Sequence, residues 1–528
     1  MIVFFALALS LATVVTFIVP LCASFSPLFF HAHFSFQEIF AIVNVAFRTI
    51  AIAFFSTLLA IFVGTSSAFF LAKRIFFGKQ ILYALSAVPL CIPPLALALG
   101  EVSVFGVSGI FNRALVFFHL IEKPLTFLYT KFGLIFVQGF YNFPIVMLLV
   151  SEKWKTLSIA EEEAARTLGA SERKIFFSIT VRKLLPAIIA SSIPVFMYCF
   201  FTFVLVLLFS APGTETLEVL LYRAARITLD FKTASLIALV ETLCALFIVF
   251  VYGNFSKKNL ASFSKKITQT KIANALYETT TQKFLERSFA IFLFLIILIF
   301  LIFPLAGIFF ASFQKTEDSF AFVKLFSSRS FYKALQGTLE TAPFTALLCI
   351  VTGTTFSFIV YFSKIKNKNF LKTILILPMA VSSVALGFGL MQMFHFANKT
   401  FLVFLQTAIF WPFAFRQIDS ALVSLGKEKI EAALLLSKNN FDAIFRVCIP
   451  SVSHSIFSSF GFCFAMSLGD ATLPLVLSIP NFDTLSLYTY RLASRYKFSV
   501  ASSSAFFISS LASIFFLFGK MKLSWRKK

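Results

Sequence analysis

Apolar residues in this chain do not alternate with polar ones. They run for about twenty positions at a stretch, break at short polar segments and resume. A helix of about 20 apolar residues spans the hydrocarbon core of a bilayer, whereas barrel strands would show alternation in segments of about ten. The runs therefore predict helices, because lipid offers no partner to a free backbone amide or carbonyl. Six candidate spans lie in the first half, at about 2–22, 50–72, 80–100, 131–150, 189–210 and 234–253. Six more lie in the second, at about 289–312, 338–362, 370–394, 401–419, 453–473 and 501–519. The expected fold is an all-α polytopic membrane protein with about 12 transmembrane helices. The first run resembles a secretory signal but lacks a basic leader and is followed by further spans, which favours an uncleaved first helix.

The polar segments set the expected orientation. With the N-terminus inside, 30 of the 46 Lys and Arg fall in inner loops: around Lys73, Arg74 and Lys79, in 151–188, in 254–288, around Lys364–Lys372, in 420–452 and in the tail. That bias predicts both termini in the cytoplasm. It also accounts for the net charge of +23 without nucleic acid, since the charges line short loops and form no basic face on a soluble fold. The stretch 254–288 carries seven basic residues against Glu278 and Glu286. It reads as a solvated cytoplasmic connector between lobe 1–253 and lobe 289–528, with a contact to lipid headgroups as the alternative.

Composition agrees. Hydrophobic residues make up 59% of the 528 and charged residues 13%, about half the charge of a soluble domain. The seven cysteines form no CxxC pair and sit mostly in apolar runs, where a thiol behaves as a small hydrophobe.

The two halves repeat at an offset of 268 residues. Glu163-Ala164-Ala165 maps onto Glu431-Ala432-Ala433, Thr216-Leu217 onto Thr484-Leu485, and Tyr222-Arg223 onto Tyr490-Arg491. Two like six-helix lobes imply a pseudo-twofold axis along the membrane normal with a pathway between them. The longest inner loop of each half reads as a short helix, a turn and a second helix. Ala, Leu and Glu favour the first helix. Gly169 suits the left-handed residue that ends it, and Ser437 is a poorer substitute. Ser171 and Asn439 suit the N-cap of the next helix. Small alanines would let another protein's surface approach closely.

The pattern E-A-A-x3-G-x9-I-x-L-P, carried by Glu163, Ala164, Ala165, Gly169 and Ile179, and again by Glu431, Ala432, Ala433, Ser437 and Val447 to Pro450, resembles the signature loop of permease subunits of binding-protein-dependent ABC importers. The resemblance implies that each short helix is a coupling helix seated in a groove of an ATPase subunit. The first copy departs from the pattern at Val181-Arg182 and the second at Ser437. Fusion of two lobes in one chain is similar to the thiamine and ferric-iron permeases. The stretches Gly133–Pro144, Ser467–Asp470 and Phe482–Leu485 look more like the thiamine branch. The implied partners are two ABC ATPase subunits and a periplasmic or lipid-anchored solute-binding protein, in the bacterial inner membrane. Membrane lipid surrounds the chain and no nucleic acid is expected.

No G-x4-G-K-[ST] loop is present: Gly426-Lys427 continues with Glu428. The chain is therefore expected to bind no cofactor and hydrolyse no ATP, leaving that to the partner. His31-Ala32-His33 lacks acidic or thiolate neighbours and reads as a plain loop, with no metal site. Ionisable residues inside spans are costly and mark pathways. Glu241 and Asp470 are the candidates, with Glu340 at a span's start. They would suit a cationic solute such as thiamine, unless they only make interhelical hydrogen bonds. The rival readings are an ion-coupled secondary transporter, which would carry more charges inside its helices, and a membrane-embedded enzyme, which would need an acid pair or metal cluster.

Overall fold

The computed structural model describes residues 2–30, 34–74, 79, 83, 92–209, 213–259, 280–316, 319–362, 368–394, 396–437 and 439–520. The expected span at 80–100, the middle of the basic connector and the His31-Ala32-His33 loop fall mostly or wholly outside them. Among the described residues the chain is helical, and its β pairing is one isolated bridge, Lys315–Phe320. Among the described residues eleven helices are long and apolar enough to cross a membrane, and the pair Leu371–Ala380 and Ser383–Met393, bent by 83°, brings the number to twelve when counted as one span. This is the architecture the apolar runs predict.

The elements used below are, in the first half, α1 (Ile2–Ser24), α2 (Phe36–Lys73), α3 (Pro94–Phe105), α4 (Lys131–Lys155), α5 (Ile159–Thr167), α6 (Val181–Phe200), α7 (Leu217–Tyr222) and α8 (Phe231–Asn259). In the second they are α9 (Thr280–Ile297), α10 (Phe303–Ser312), α11 (Arg329–Phe362), α12 (Ser383–Met393), α13 (Lys399–Ser424), α14 (Lys427–Leu436), α15 (Ile449–Gly469), α16 (Thr472–Leu477), α17 (Leu485–Ser494) and α18 (Phe498–Lys520).

Corresponding residues make corresponding contacts. Thr130 and Asn398, 268 apart, cap α4 and α13 by accepting from the amides of Gly133 (3.2 Å) and Phe401 (3.0 Å). Ion pairs Arg223–Glu215 and Arg491–Asp483 keep the same spacing, each at 2.6 Å. Upstream of α4 the offset changes to 289. There the amides of Leu217 and Leu485 donate to Thr49 Oγ1 (3.0 Å) and Thr338 Oγ1 (2.8 Å). The difference, 21 residues, sits between α3 and α4. That stretch forms a helix at Ile110–Phe117 and a 3₁₀ turn at Phe127–Tyr129, whereas Phe394–Asn398 alone join α12 to α13. The single offset read from the sequence therefore holds only from Thr130 onward.

The halves are interleaved. α1 packs against α11, α12 and α13 of the second half, and α10 packs against α3 of the first. Each crossing places a proline carbonyl on a glycine: Pro304 O against Gly100 and Pro20 O against Gly389, where a Cβ on either glycine has no room. Small residues admit such close approach where lipid supplies no hydrophobic drive between helices. Outward faces carry the surplus Phe: Phe47, Phe54, Phe55 and Phe62 on α2 are exposed in the isolated chain, as lipid-facing residues should be.

Candidate functional site

Each coupling-motif helix is a short bridge between two spans, α5 between α4 and α6, and α14 between α13 and α15. With the bent pair counted as one crossing, six spans separate the two bridges, so both lie on one side of the membrane. α5 ends at Gly169, whose φ of +80° puts it in the left-handed region that glycine tolerates. Ser437 ends α14 in extended conformation (φ −97°, ψ 150°), and its hydroxyl donates to Ala433 O at 2.6 Å. Asn439 Oδ1 caps the following turn by accepting from Asp442 N at 2.8 Å, whereas Ser171 holds the cap position without a side-chain bond. Both bridges then enter a π-helical turn, Phe176–Thr180 and Ile444–Cys448, 268 residues apart.

The motif residues divide by exposure. Glu163 and Ala164 face outward, as do Glu431 and Ala432. Ala165 is half-buried, and Ala433 is buried at 6%. Ala433 is thus part of the second bridge's own packing. The apolar tips are Leu168, 87% exposed, and Leu436, 89% exposed, which correspond at the 268 offset. Both lie on bridges between spans rather than on a span itself.

The mountings of the two bridges differ. Glu162, one residue before the motif glutamate, is turned inward. Its Oε2 accepts from Lys73 Nζ at the end of α2 and its Oε1 from Thr180 Oγ1 before α6, both at 3.1 Å. Glu161 pairs with Lys183, and Arg166 grips Glu172 through two nitrogens at 2.5 and 3.1 Å. That hydrogen bond raises the Arg166 guanidinium above its ordinary range. In the second half the positions of Lys73, Glu162 and Thr180 are held by Phe362, Ile430 and Cys448, the last buried at 1% exposure. The three residues of this contact in the first half thus correspond to apolar residues in the second.

The two pathway candidates part company. Asp470 is fully partnered: Oδ1 accepts from Thr472 N (2.9 Å) and Leu473 N (3.4 Å), capping α16, and Oδ2 accepts from Gln406 Nε2 (3.0 Å). Gln406 Oε1 in turn accepts from Thr345 (3.2 Å) and Ser467 (2.7 Å). This is an interhelical network. Glu340 lies on the surface, paired with Lys399 at 2.9 Å. Glu241, by contrast, is buried and neither carboxylate oxygen has a hydrogen bond. Beside it lies Glu218, also buried. Glu218 and a third buried acid, Glu101 on α3, were not among the sequence candidates. Glu101 falls one residue past the expected end of its apolar run and Glu218 lies in an expected loop.

Residues 60–259 and 347–523 match the model of the family described as the binding-protein-dependent transport system inner membrane component. The matched segments cover most of the chain and include both bridges. This chain belongs to that permease family. It is therefore the membrane-spanning subunit of an ABC importer, a translocation subunit rather than an enzyme, and works with a solute-binding protein and separate ATPases. Among curated relatives it is 25% identical over 415 residues to the thiamine transport system permease protein ThiP of Brucella abortus, covering 76% of this chain and 72% of the relative. It is 27% identical over 221 residues to the putative 2-aminoethylphosphonate transport system permease protein PhnU of Salmonella typhi, covering 42% of this chain and 74% of the relative.

Proposed function

We propose that this permease carries thiamine or a related organic cation inward, driven by two ATPase subunits that engage α5 and α14 from the cytoplasmic side. The observation that carries the coupling reading is the pair of exposed leucines, Leu168 and Leu436, at matching ends of matching bridges. Glu163, Ala164, Ala165 and Gly169 form the first docking surface. Glu431, Ala432 and Ser437 form the second, with Ala433 beneath it. A binding protein delivers solute to the outer segments 211–233 and 480–500. ATP then closes the ATPase pair, the bridges pass that motion to the spans as rigid-body rocking, and the pathway opens inward. The N- and C-termini lie in the cytoplasm, as the Lys and Arg distribution favours.

Support for thiamine comes from the length over which the thiamine permease aligns, 76% of this chain, and from acids buried in the fold. The test is uptake in cells lacking the chain. Reintroducing it should restore uptake of labelled thiamine. Restored uptake of 2-aminoethylphosphonate or ferric iron without thiamine would overturn the substrate reading and leave the importer architecture in place.

A further inference from the structure

One junction between the halves holds acid with nothing to neutralise it. There α7 and α8 of the first half meet the turn at 377–380 and α12 of the second. Glu241 on α8 is 0% exposed and Glu218 on α7 is 1% exposed. Both oxygens of Glu241 and Oε2 of Glu218 lack any hydrogen bond. The two carboxyls interact with each other, and Ser382 of the second half faces both. Its hydroxyl oxygen accepts from Ala385 N at 3.0 Å and makes no hydrogen bond to either Glu241 oxygen or to Glu218 Oε2.

Among the described residues, no ion pair joins a basic side chain to either acid. Neither α12 nor the turn at 377–380 carries a charged residue. On the flanking elements Lys232 pairs with Glu38, Arg223 with Glu215, and Asp230 caps Thr233. Arg226 faces Tyr222, and Arg48 donates to the carbonyls of Glu215 and Gly213. The related junction on the other side differs in kind: the positions of Glu218, Glu241 and Ser382 are held there by Ser486, Ser509 and Pro93. An intramembrane carboxylate with its oxygens unpaired is expensive, and residues kept in that condition mark ion or substrate sites.

We propose that Glu218 and Glu241, with Ser382 of the opposite half, form a site for a single monovalent cation at the junction between the halves. The site is assembled from both halves, so a bound cation stabilises the arrangement in which they meet, and separating them dismantles it. Its asymmetry gives one site per chain. The same carboxyls would accept a free alkali ion or the positive charge of the transported solute. The solute source rests on the importer reading above, while the alkali source does not.

The test uses the permease assembled with its ATPase partner in lipid nanodiscs. Thermal unfolding is followed at equal ionic strength in sodium, potassium or N-methylglucamine chloride, and in N-methylglucamine chloride with added thiamine. The expected result is a saturable rise in midpoint with at least one of sodium, potassium or thiamine, and an apparent dissociation constant raised at least 10-fold in Glu218→Gln and Glu241→Gln. A rise with sodium or potassium identifies a free ion; a rise with thiamine alone identifies the solute. If a Gln variant fails to assemble, Ser382→Ala, which removes no charge, should weaken the same response several-fold. No rise over N-methylglucamine in the native protein, or an undiminished rise in the variants, overturns the proposal and leaves the acids simply protonated. An acid-dependent alkali response without thiamine uptake would keep the site and sink the substrate reading. Native thiamine uptake by both Gln variants with no cation response would do the reverse.

Discussion

The two motif bridges present the same tip on different mountings. Leu168 and Leu436 stand equally exposed at the same point of the repeat. Behind them, the first bridge is tied by charge to the ends of α2 and α6 through Glu162, Lys73, Thr180, Glu161 and Lys183. In the second, Ala433 and Cys448 are buried, and Phe362, Ile430 and Cys448 stand at the positions of Lys73, Glu162 and Thr180. A contact surface for a partner is constrained by the partner's shape, whereas its mounting answers only to its own half. A partly buried ion pair fixes a helix directionally, since moving it strands a charge. Apolar packing permits small sliding at lower cost. The first bridge is accordingly the stiffer link.

The largest effect separating tip from mounting should come from the tips. Leu168→Asp or Leu436→Asp removes an apolar anchor and desolvates a charge in the partner's groove. Losing such an anchor costs roughly 2 kcal/mol or more, so ATP-driven uptake should fall at least ~10-fold while the permease still assembles in the membrane. Uptake assays beside membrane quantification check this, and native uptake in the double variant would contradict the docking role.

Next in size is the mounting of the first bridge. Glu162→Gln leaves Lys73 without its charge partner at a cost of about 1–3 kcal/mol. Solute moved per ATP hydrolysed should drop roughly 5-fold, the low end of a site-to-site coupling energy. Lys73→Met should act alike, and the double variant should be no worse than either alone because both remove one interaction. Unchanged stoichiometry in both would mean that the tie is ornamental to coupling.

The buried glutamines sharpen the contrast between the halves. Gln138 Oε1 accepts from Ser56 at 3.0 Å, as Gln406 accepts from Thr345, yet Gln138 Nε2 has no partner. Thr202 occupies the position that Asp470 holds in the second half, and its hydroxyl donates to Tyr198 O instead. Gln406→Leu takes the partner from Asp470 Oδ2 and from two hydroxyls and should cost about 1–3 kcal/mol, whereas Gln138→Leu strands the Ser56 hydroxyl alone, removes an orphan donor, and should cost less. Paired thermal unfolding midpoints in one detergent resolve the difference. The smallest effect belongs to the exposed Arg166–Glu172 pair: Arg166→Ala should change stability by only ~0.2–1 kcal/mol, and less in high salt.

Much of this was legible in the residues. Runs of spanning length gave the helices because lipid enforces one backbone solution. The two short bridging helices were legible because a motif and its copy fell at one offset. What stayed hidden was the facing of side chains on a short bridge. Glu161, Glu162 and Glu163 are chemically alike, and only Lys73 and Thr180, from distant segments, select Glu162 for burial. The inward turn of Ala433 was hidden for the same reason. The interleaving of α1 and α10 rests on Gly389 and Gly100, whose partners Pro20 and Pro304 lie hundreds of residues away in sequence. Glu218 was invisible as a partner of Glu241 because it sits outside any apolar run, and Ser382, which faces both, belongs to the other half.

The most direct test of the central claim places single cysteines at Leu168 and Leu436 in a Cys22→Ser background, since Cys22 is an exposed native thiol. Short thiol cross-linkers applied to inverted membrane vesicles should join both positions to the ATPase subunit, and a membrane-impermeant maleimide added to intact spheroplasts should label neither. Labelling of either cysteine from outside, or two accessible cysteines that never cross-link to the ATPase, would contradict the account.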